Sequence, residues 1–153
     1  MPWALFPALS VFAGVSVVLV VIDVRAHRLP DVVLLPGAVA VVSLLGAAAV
    51  ALGQVGRLGQ ITAGAVGAFL ACLAVHLARP PAFGGGDVKL AGLCGAVLGW
   101  HGVAHVASGI ALGFVVGGIA ALGACLAGAR RAPIAFGPFL LLGTWARMLA
   151  GPW

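Results

Sequence analysis

The sequence predicts an all-α, polytopic integral membrane protein with about six transmembrane helices. Hydrophobic residues make up 63% of the 153-residue chain and charged residues only 7%, whereas an ordinary soluble domain is about 25% charged. Apolar runs also follow one another with only short polar breaks, and a membrane-crossing helix needs about 20 such residues. A soluble globule is therefore excluded, and residues 1–153 are expected to form one membrane-embedded domain.

The apolar runs between polar breaks give the helix boundaries. They predict helices at residues 3–22, 32–53, 60–78, 88–100, 102–128 and 133–150. The first run is of spanning length and no basic segment precedes it, so it is expected to remain as a helix and not to be a cleaved signal peptide. The fourth run is short and the break at His101 and Gly102 is weak, so five spans are the alternative to six.

Positive charge is distributed unequally between alternate loops. Six of the eight basic residues fall on one side of the predicted membrane: Arg25, Arg28, Arg79, Lys89, Arg130 and Arg131. The positive-inside rule places these loops in the cytoplasm and both chain termini outside. Because the basic residues form no continuous stripe, the lipid bilayer is an expected partner and nucleic acid is not.

Glycine is frequent, with 24 residues. Pairs four residues apart, such as Gly95 with Gly99 and Gly113 with Gly117, allow helix backbones to approach closely in lipid. Such spacings also arise by chance in a glycine-rich chain, so they predict tight packing without identifying the partner helices.

Only three acidic residues are present, namely Asp23, Asp31 and Asp87. Asp23 ends an otherwise apolar helix, and ionisable residues at membrane depth are costly and usually functional. The alternative for Asp23 is an interfacial ion pair with Arg25 or Arg28. Asp31 follows Pro30 at the start of the second helix, where it is expected to cap free N–H groups.

Asp87 follows a Pro- and Gly-rich break and begins an apolar helix. It is either an N-cap or a catalytic carboxylate on a glycine-lined floor. Two carboxylates from different helices can share one proton, so that one activates water while the other polarises a scissile carbonyl. The competing hypothesis is a noncatalytic membrane scaffold or small transporter, in which Asp23 and Asp87 only pair with basic residues.

Three stretches together resemble the type IV prepilin peptidases, which are GxGD intramembrane aspartyl proteases. These are residues 23–31 (DVRAHRLPD), 84–90 (GGGDVKL) and 133–143 (PIAFGPFLLLG). Carried over position by position, the resemblance implies that Asp23 and Asp87 are the catalytic pair.

The GGGDVKL stretch also matches family positions beside the catalytic aspartate. The resemblance makes Gly84 and Gly86 the glycines that shape the active-site loop. Lys89 matches a family lysine, for which three roles are open: binding anionic lipid, orienting the loop or tuning Asp87. Ala135 departs from the proline that many members carry before Phe-Gly-Pro.

The resemblance further implies the substrate and the cellular setting. The expected substrate is a prepilin or pseudopilin, cleaved after a leader glycine at the cytoplasmic face of the bacterial inner membrane, for a pilus or a related secretion apparatus. The paired-cysteine domain of methylating family members is missing, so a peptidase-only form is expected. No cofactor and no metal are expected, because His101 and His105 lack a third ligand.

Overall fold

The computed structural model describes residues 3–78, 84–128 and 135–150, and these residues form helices and no strand. The helices are α1 (Phe6–Ala26), α2 (Asp31–Ala51), α3 (Gly56–Ala78), α4 (Gly85–Gly99), α5 (Val103–Leu126) and α6 (Gly137–Leu149), with a 3₁₀ turn at Trp3–Leu5 before α1. The all-α prediction and its six helices are confirmed. Gly102, with φ +102°, separates α4 from α5 in a conformation that favours glycine.

The six helices differ in length. Four of them are long and apolar enough to cross a membrane, namely α1 with its preceding turn, α2, α3 and α5. The other two, α4 and α6, have 15 and 13 residues, which gives about 22 and 20 Å at 1.5 Å per residue. A hydrocarbon core is about 30 Å thick, so these two helices are shorter than a hydrocarbon core.

Helix α4 lies inside the bundle. It packs against α2, α3, α5 and α6, and most of its side chains are buried. A helix that is apolar on all sides is typical of such a position. The consequence for function is that Asp87, in the first turn of α4, is delivered to the protein interior.

The predicted close packing of glycines is confirmed, and its partners are now defined. A methyl group on Gly95 would meet the carbonyl oxygen of Gly64 in α3, and one on Gly99 would lie 2.6 Å from another α3 carbonyl oxygen. A methyl group on Gly113 in α5 would lie 3.0 Å from Cα of Leu140 in α6. These contacts fix the α3–α4 and α5–α6 pairs at short range.

The described helix termini lie at two ends of the bundle. The "site end" contains the last turn of α1 and the first turns of α2, α4 and α6. The "far end" contains the α2–α3 and α4–α5 connections and the last turn of α6. All three aspartates of the chain are at the site end. Arg79, Arg130 and Arg131, on which the predicted orientation partly rests, lie outside the described residues.

Candidate active site

Asp23 lies in the last turn of α1 and is only 5% exposed. Its Oδ2 accepts a hydrogen bond of 3.1 Å from the backbone N–H of Gly137, the first residue of α6. First-turn N–H groups have no partner within their helix and suit anions. No ion pair joins Asp23 to Arg25 or Arg28 in the described part of the chain, so the alternative role for Asp23 is not observed.

The chain turns directly after Asp23. His27 ends α1 in the left-handed conformation, with φ +50°, and its N–H donates to the carbonyl oxygen of Asp23 at 2.8 Å. A left-handed residue is a common way for a helix to end. It sends the chain from α1 into α2 across the site end.

Asp87 is the third residue of α4 and is 9% exposed. The residue that precedes the helix is Gly84, so Asp87 lies three positions after the N-cap and the alternative that it is the N-cap is not observed. The Oδ2 of Asp87 accepts the N–H of Gly84 at 3.3 Å. A Cβ atom on Gly84 would lie 3.2 Å from that same oxygen, so the absence of a side chain allows this close approach.

Both carboxylates line one cavity of about 270 Å³. Its other lining residues are His27, Arg28, Leu29, Gly84, Gly85 and Gly86. A cavity of this size has room for water molecules, each of which takes about 30 Å³ in the liquid. The structure thus brings together four of the five residues that the sequence predicted for the site, Lys89 being the exception, and adds the loop that follows α1.

The surroundings of Asp87 favour its protonated form. Asp87 is outside the four candidate spans. Burial raises its pKa to about 6, the nearby Asp23 carboxylate adds to the rise, and the hydrogen bond from Gly84 opposes it. Two carboxylates that interact in this way titrate as a pair. The pair can therefore hold one proton at a pH where an exposed aspartate holds none.

Lys89 does not line the cavity; it pairs with Asp31. Its Nζ lies 2.7 Å from both carboxylate oxygens of Asp31, and this contact orients the starts of α2 and α4 relative to each other. Pro30 is the N-cap of α2 and Asp31 is its first residue, and the Asp31 carboxylate accepts from Lys89 instead, so its expected capping role is wrong. The two side chains are 40% and 53% exposed, and exposed ion pairs contribute at most about 1 kcal/mol.

Gly86 is the glycine that packs against the α1–α2 loop. A Cβ atom on Gly86 would lie 2.8 Å from Cβ of Leu29, whereas one on Gly85 would have no heavy atom within 4 Å. Of the predicted loop glycines, Gly86 is therefore required by its contact with the neighbouring loop.

The described residues contain no cluster of three His, Cys or Asp side chains that could hold a metal ion. The rings of His101 and His105 are 5.3 Å apart, and they lie at the far end, away from the cavity.

Gly137 is a site residue that was not predicted from the sequence, as are His27, Leu29 and Gly85 of the cavity lining. The available signal is the Gly137-Pro138 pair, because proline in the first turn marks the start of a helix. A helix start attracts carboxylates. The sequence does not reveal that the carboxylate in question belongs to Asp23, 114 positions away.

Comparison with known protein families now identifies the chain. The sequence profile of the Type IV leader peptidase family matches residues 10–129. The matched region is more than half of the chain and contains both Asp23 and Asp87, although it ends before Gly137. The chain therefore belongs to the Type IV leader peptidase family, a peptidase family, and the resemblance is confirmed. No curated protein and no solved structure matches the chain.

Proposed function

We propose that this member of the Type IV leader peptidase family is an aspartic endopeptidase that removes the short basic leader of prepilin-like proteins. Family membership supports a leader peptidase. The observation that carries the aspartic mechanism is the shared cavity of Asp23 and Asp87, which come from different helices and are both buried. Aspartic hydrolysis requires two carboxylates that can share one proton.

In the proposed reaction, the ionised carboxylate takes a proton from water, and the water oxygen attacks the scissile carbonyl carbon. The protonated partner gives its proton to the carbonyl oxygen, so that a tetrahedral diol forms. When the C–N bond breaks, the first carboxyl protonates the leaving nitrogen, and the second carboxylate takes a proton from one diol hydroxyl. The pair then holds one proton again and is ready for the next cycle.

The two aspartates differ in ways that suggest their roles. Asp87 is assigned the proton, because burial and the neighbouring charge raise its pKa. Asp23 is assigned the base, because the backbone N–H that donates to its carboxylate lies at 3.1 Å, against 3.3 Å for the donor to Asp87, and a donor to the charged form favours that form.

The three glycines from Gly84 to Gly86 line the cavity beside Asp87. Residues without side chains allow a peptide backbone to come close. This arrangement supports an extended substrate segment over the glycines, with its scissile bond between the two carboxylates. Such a segment fits the junction between a leader and the hydrophobic helix that follows it.

The site end is proposed to face the cytoplasm of a bacterium, at the inner membrane. Arg25, Arg28 and Lys89 are all at this end, and basic residues favour the cytoplasmic side. The leader of a prepilin, which lies in the cytoplasm, would then reach the cavity while the hydrophobic helix of the prepilin is still in the membrane.

The proposal is tested by changing each aspartate to asparagine in the full-length protein and measuring release of the leader from a prepilin by mass spectrometry. Asparagine keeps the size but cannot exchange a proton. Asp23→Asn and Asp87→Asn should therefore each lower cleavage by about 10²- to 10⁴-fold or more, at unchanged protein abundance. Asp31→Asn is the matched control, because it removes only an exposed ion pair worth up to about 1 kcal/mol, and it should retain most activity.

Two results would contradict the proposal. Normal cleavage by both Asp23→Asn and Asp87→Asn would remove the aspartic mechanism. An inactive Asp31→Asn together with an active Asp23→Asn would show that the wrong carboxylates had been paired.

A further inference from the structure

A polar cavity of about 470 Å³ opens at the far end of the bundle, away from the candidate active site. Its lining residues are Gln54, Gly56, Arg57, Gln60 and His101. They come from the α2–α3 connection, the start of α3 and the α4–α5 connection. The cavity thus combines one cationic side chain with several hydrogen-bonding groups at the level where a helix leaves the membrane.

Arg57 is held in a fixed position. Its Nε donates to Oε1 of Gln54 at 2.6 Å, one terminal nitrogen donates to the carbonyl oxygen of Trp100, and its Cζ lies 4.9 Å from the centre of the Trp100 ring. A guanidinium has five N–H donors, so three are left beyond these two bonds to described residues. A planar, immobilised guanidinium is well suited to binding phosphate.

The far end carries positive charge and no acidic side chain. Arg147, whose Nε donates to Ser108 at 2.8 Å, also lies at this end. The pKa of His101 is lowered by burial and then by His105, Arg57 and Arg147, so these groups are close enough to repel its charged form. All three aspartates of the chain are at the site end, so Arg57 and Arg147 have no acidic side chain near them.

An apolar groove of about 350 Å³ runs between α3 and α5. On α3, Gly64 and Gly67 line the groove, and on α5 Val103 begins it. Residues three or four apart share one face of a helix. Gln60 of the polar cavity and the two groove glycines therefore follow one another along α3, and the groove begins where the polar cavity ends.

We propose that these two features form a binding site for one anionic phospholipid of the surrounding membrane. Its phosphate would lie beside Arg57, and one acyl chain would lie in the groove between α3 and α5. The chemistry of the two features identifies the occupant. A phospholipid joins an anionic phosphate to apolar acyl chains, and the protein places the cationic Arg57 next to an apolar groove. A free phosphate would occupy only the polar cavity, and an uncharged lipid only the groove.

The test is a native mass spectrometry titration of the detergent-solubilised full-length protein with phosphatidylglycerol. Each arginine that contacts an anionic lipid is expected to contribute about a fivefold change in affinity. Arg57→Gln should therefore raise the apparent dissociation constant about fivefold. Arg147 does not line the polar cavity and acts only through its charge, so Arg147→Gln should raise the constant by a smaller factor. Arg25→Gln is the matched control, since it removes the same charge at the site end and should leave lipid binding unchanged.

The groove is tested separately with Gly67→Leu. A Cβ atom at Gly67 has no heavy atom within 4 Å, so the leucine is tolerated by the backbone and fills the groove. It should weaken phosphatidylglycerol binding. Gly14→Leu is the control, because Gly14 on α1 is equally unobstructed and does not line the groove.

Two further ligands distinguish the sources of binding. Glycerol phosphate supplies the phosphate without acyl chains and diacylglycerol the chains without phosphate, and both should bind more weakly than phosphatidylglycerol. Equal binding of glycerol phosphate would indicate a simple phosphate site and overturn the lipid proposal. Equal affinity of Arg147→Gln, Gly67→Leu and the unmodified protein would also overturn it, even if Arg57→Gln did not fold.

Discussion

The contact between Gly137 and Asp23 makes Gly137→Ala a specific test of the site geometry. A Cβ atom at Gly137 would lie 2.6 Å from Oδ2 of Asp23. Ordinary contact begins near 3.4 Å, so the overlap is 3.4 − 2.6 = 0.8 Å. The Cβ would also touch Leu90, at 3.4 Å from its Cδ2. The carboxylate must therefore move, and it cannot keep its 3.1 Å hydrogen bond to the Gly137 N–H in the present position.

The size of the effect follows from this displacement. A hydrogen bond to a charged group is worth about 1.5–3 kcal/mol, which corresponds to about a 10- to 100-fold change. A catalytic group misplaced by about 1 Å costs a similar factor. We expect kcat of Gly137→Ala to fall about 10- to 100-fold. KM should change little, because the substitution adds no group to the glycine-lined floor.

The assay is steady-state cleavage of a prepilin by the purified full-length protein, with thermal unfolding measured on the same samples. Gly118→Ala in α5 is the control, since no heavy atom lies within 4 Å of its Cβ position. It should keep full activity and gain up to about 1 kcal/mol of stability, because alanine favours a helix more than glycine does. An unchanged kcat in Gly137→Ala would refute the positioning of Asp23 by Gly137. A loss of activity matched by a large loss of thermal stability would do so as well.

Three more predictions follow from the site end. Gly86→Ala should lower cleavage, because its Cβ would lie 2.8 Å from the α1–α2 loop, whereas Gly85→Ala should be active because its Cβ meets nothing within 4 Å. Burial raises the pKa of Asp87 from 3.8 to about 6, so between pH 3.8 and about pH 6 the folded state binds more protons than the unfolded state. The free energy of unfolding should therefore fall as pH rises through this range. Thermal unfolding of Asp87→Asn should lose this pH dependence. Single cysteines in a cysteine-free background test the orientation, with a membrane-impermeant thiol reagent added to intact cells. The reagent should label Val55→Cys at the far end and not Arg25→Cys at the site end, and the reverse result would contradict the proposed orientation.

The helices could be predicted because the membrane imposes their length and composition. The long runs that became α1, α2, α3 and α5 are apolar over a spanning length, and no soluble fold needs such runs. The buried position of α4 could not be predicted in the same way. Lipid and protein interior are both apolar, so the composition of α4 does not distinguish a lipid-facing helix from a central one. Its position depends on close contacts such as that of Gly95 with α3.

The proposed catalytic pair could be inferred from the small number of acidic residues, whereas the contacts that support it could not. With three acidic residues in the chain, Asp23 and Asp87 were the natural candidates. The pairing of Lys89 with Asp31 spans 58 positions, and no local spacing encodes a contact between such distant residues. The capping role expected for Asp31 was wrong for this reason, since a tertiary partner replaced the local one.

The two short helices explain how a pair of carboxylates can be buried although neither forms an ion pair in the described part of the chain. Each carboxylate accepts a backbone N–H at the start of a short helix, Gly84 before α4 for Asp87 and Gly137 in α6 for Asp23. A lysine or arginine at that distance would hold an aspartate in its ionised form. A neutral N–H donor replaces part of the lost hydration and still allows the proton to move between the two groups. The exposed Asp31, which has no such task in the proposed reaction, is the aspartate that pairs with a lysine in the described part of the chain.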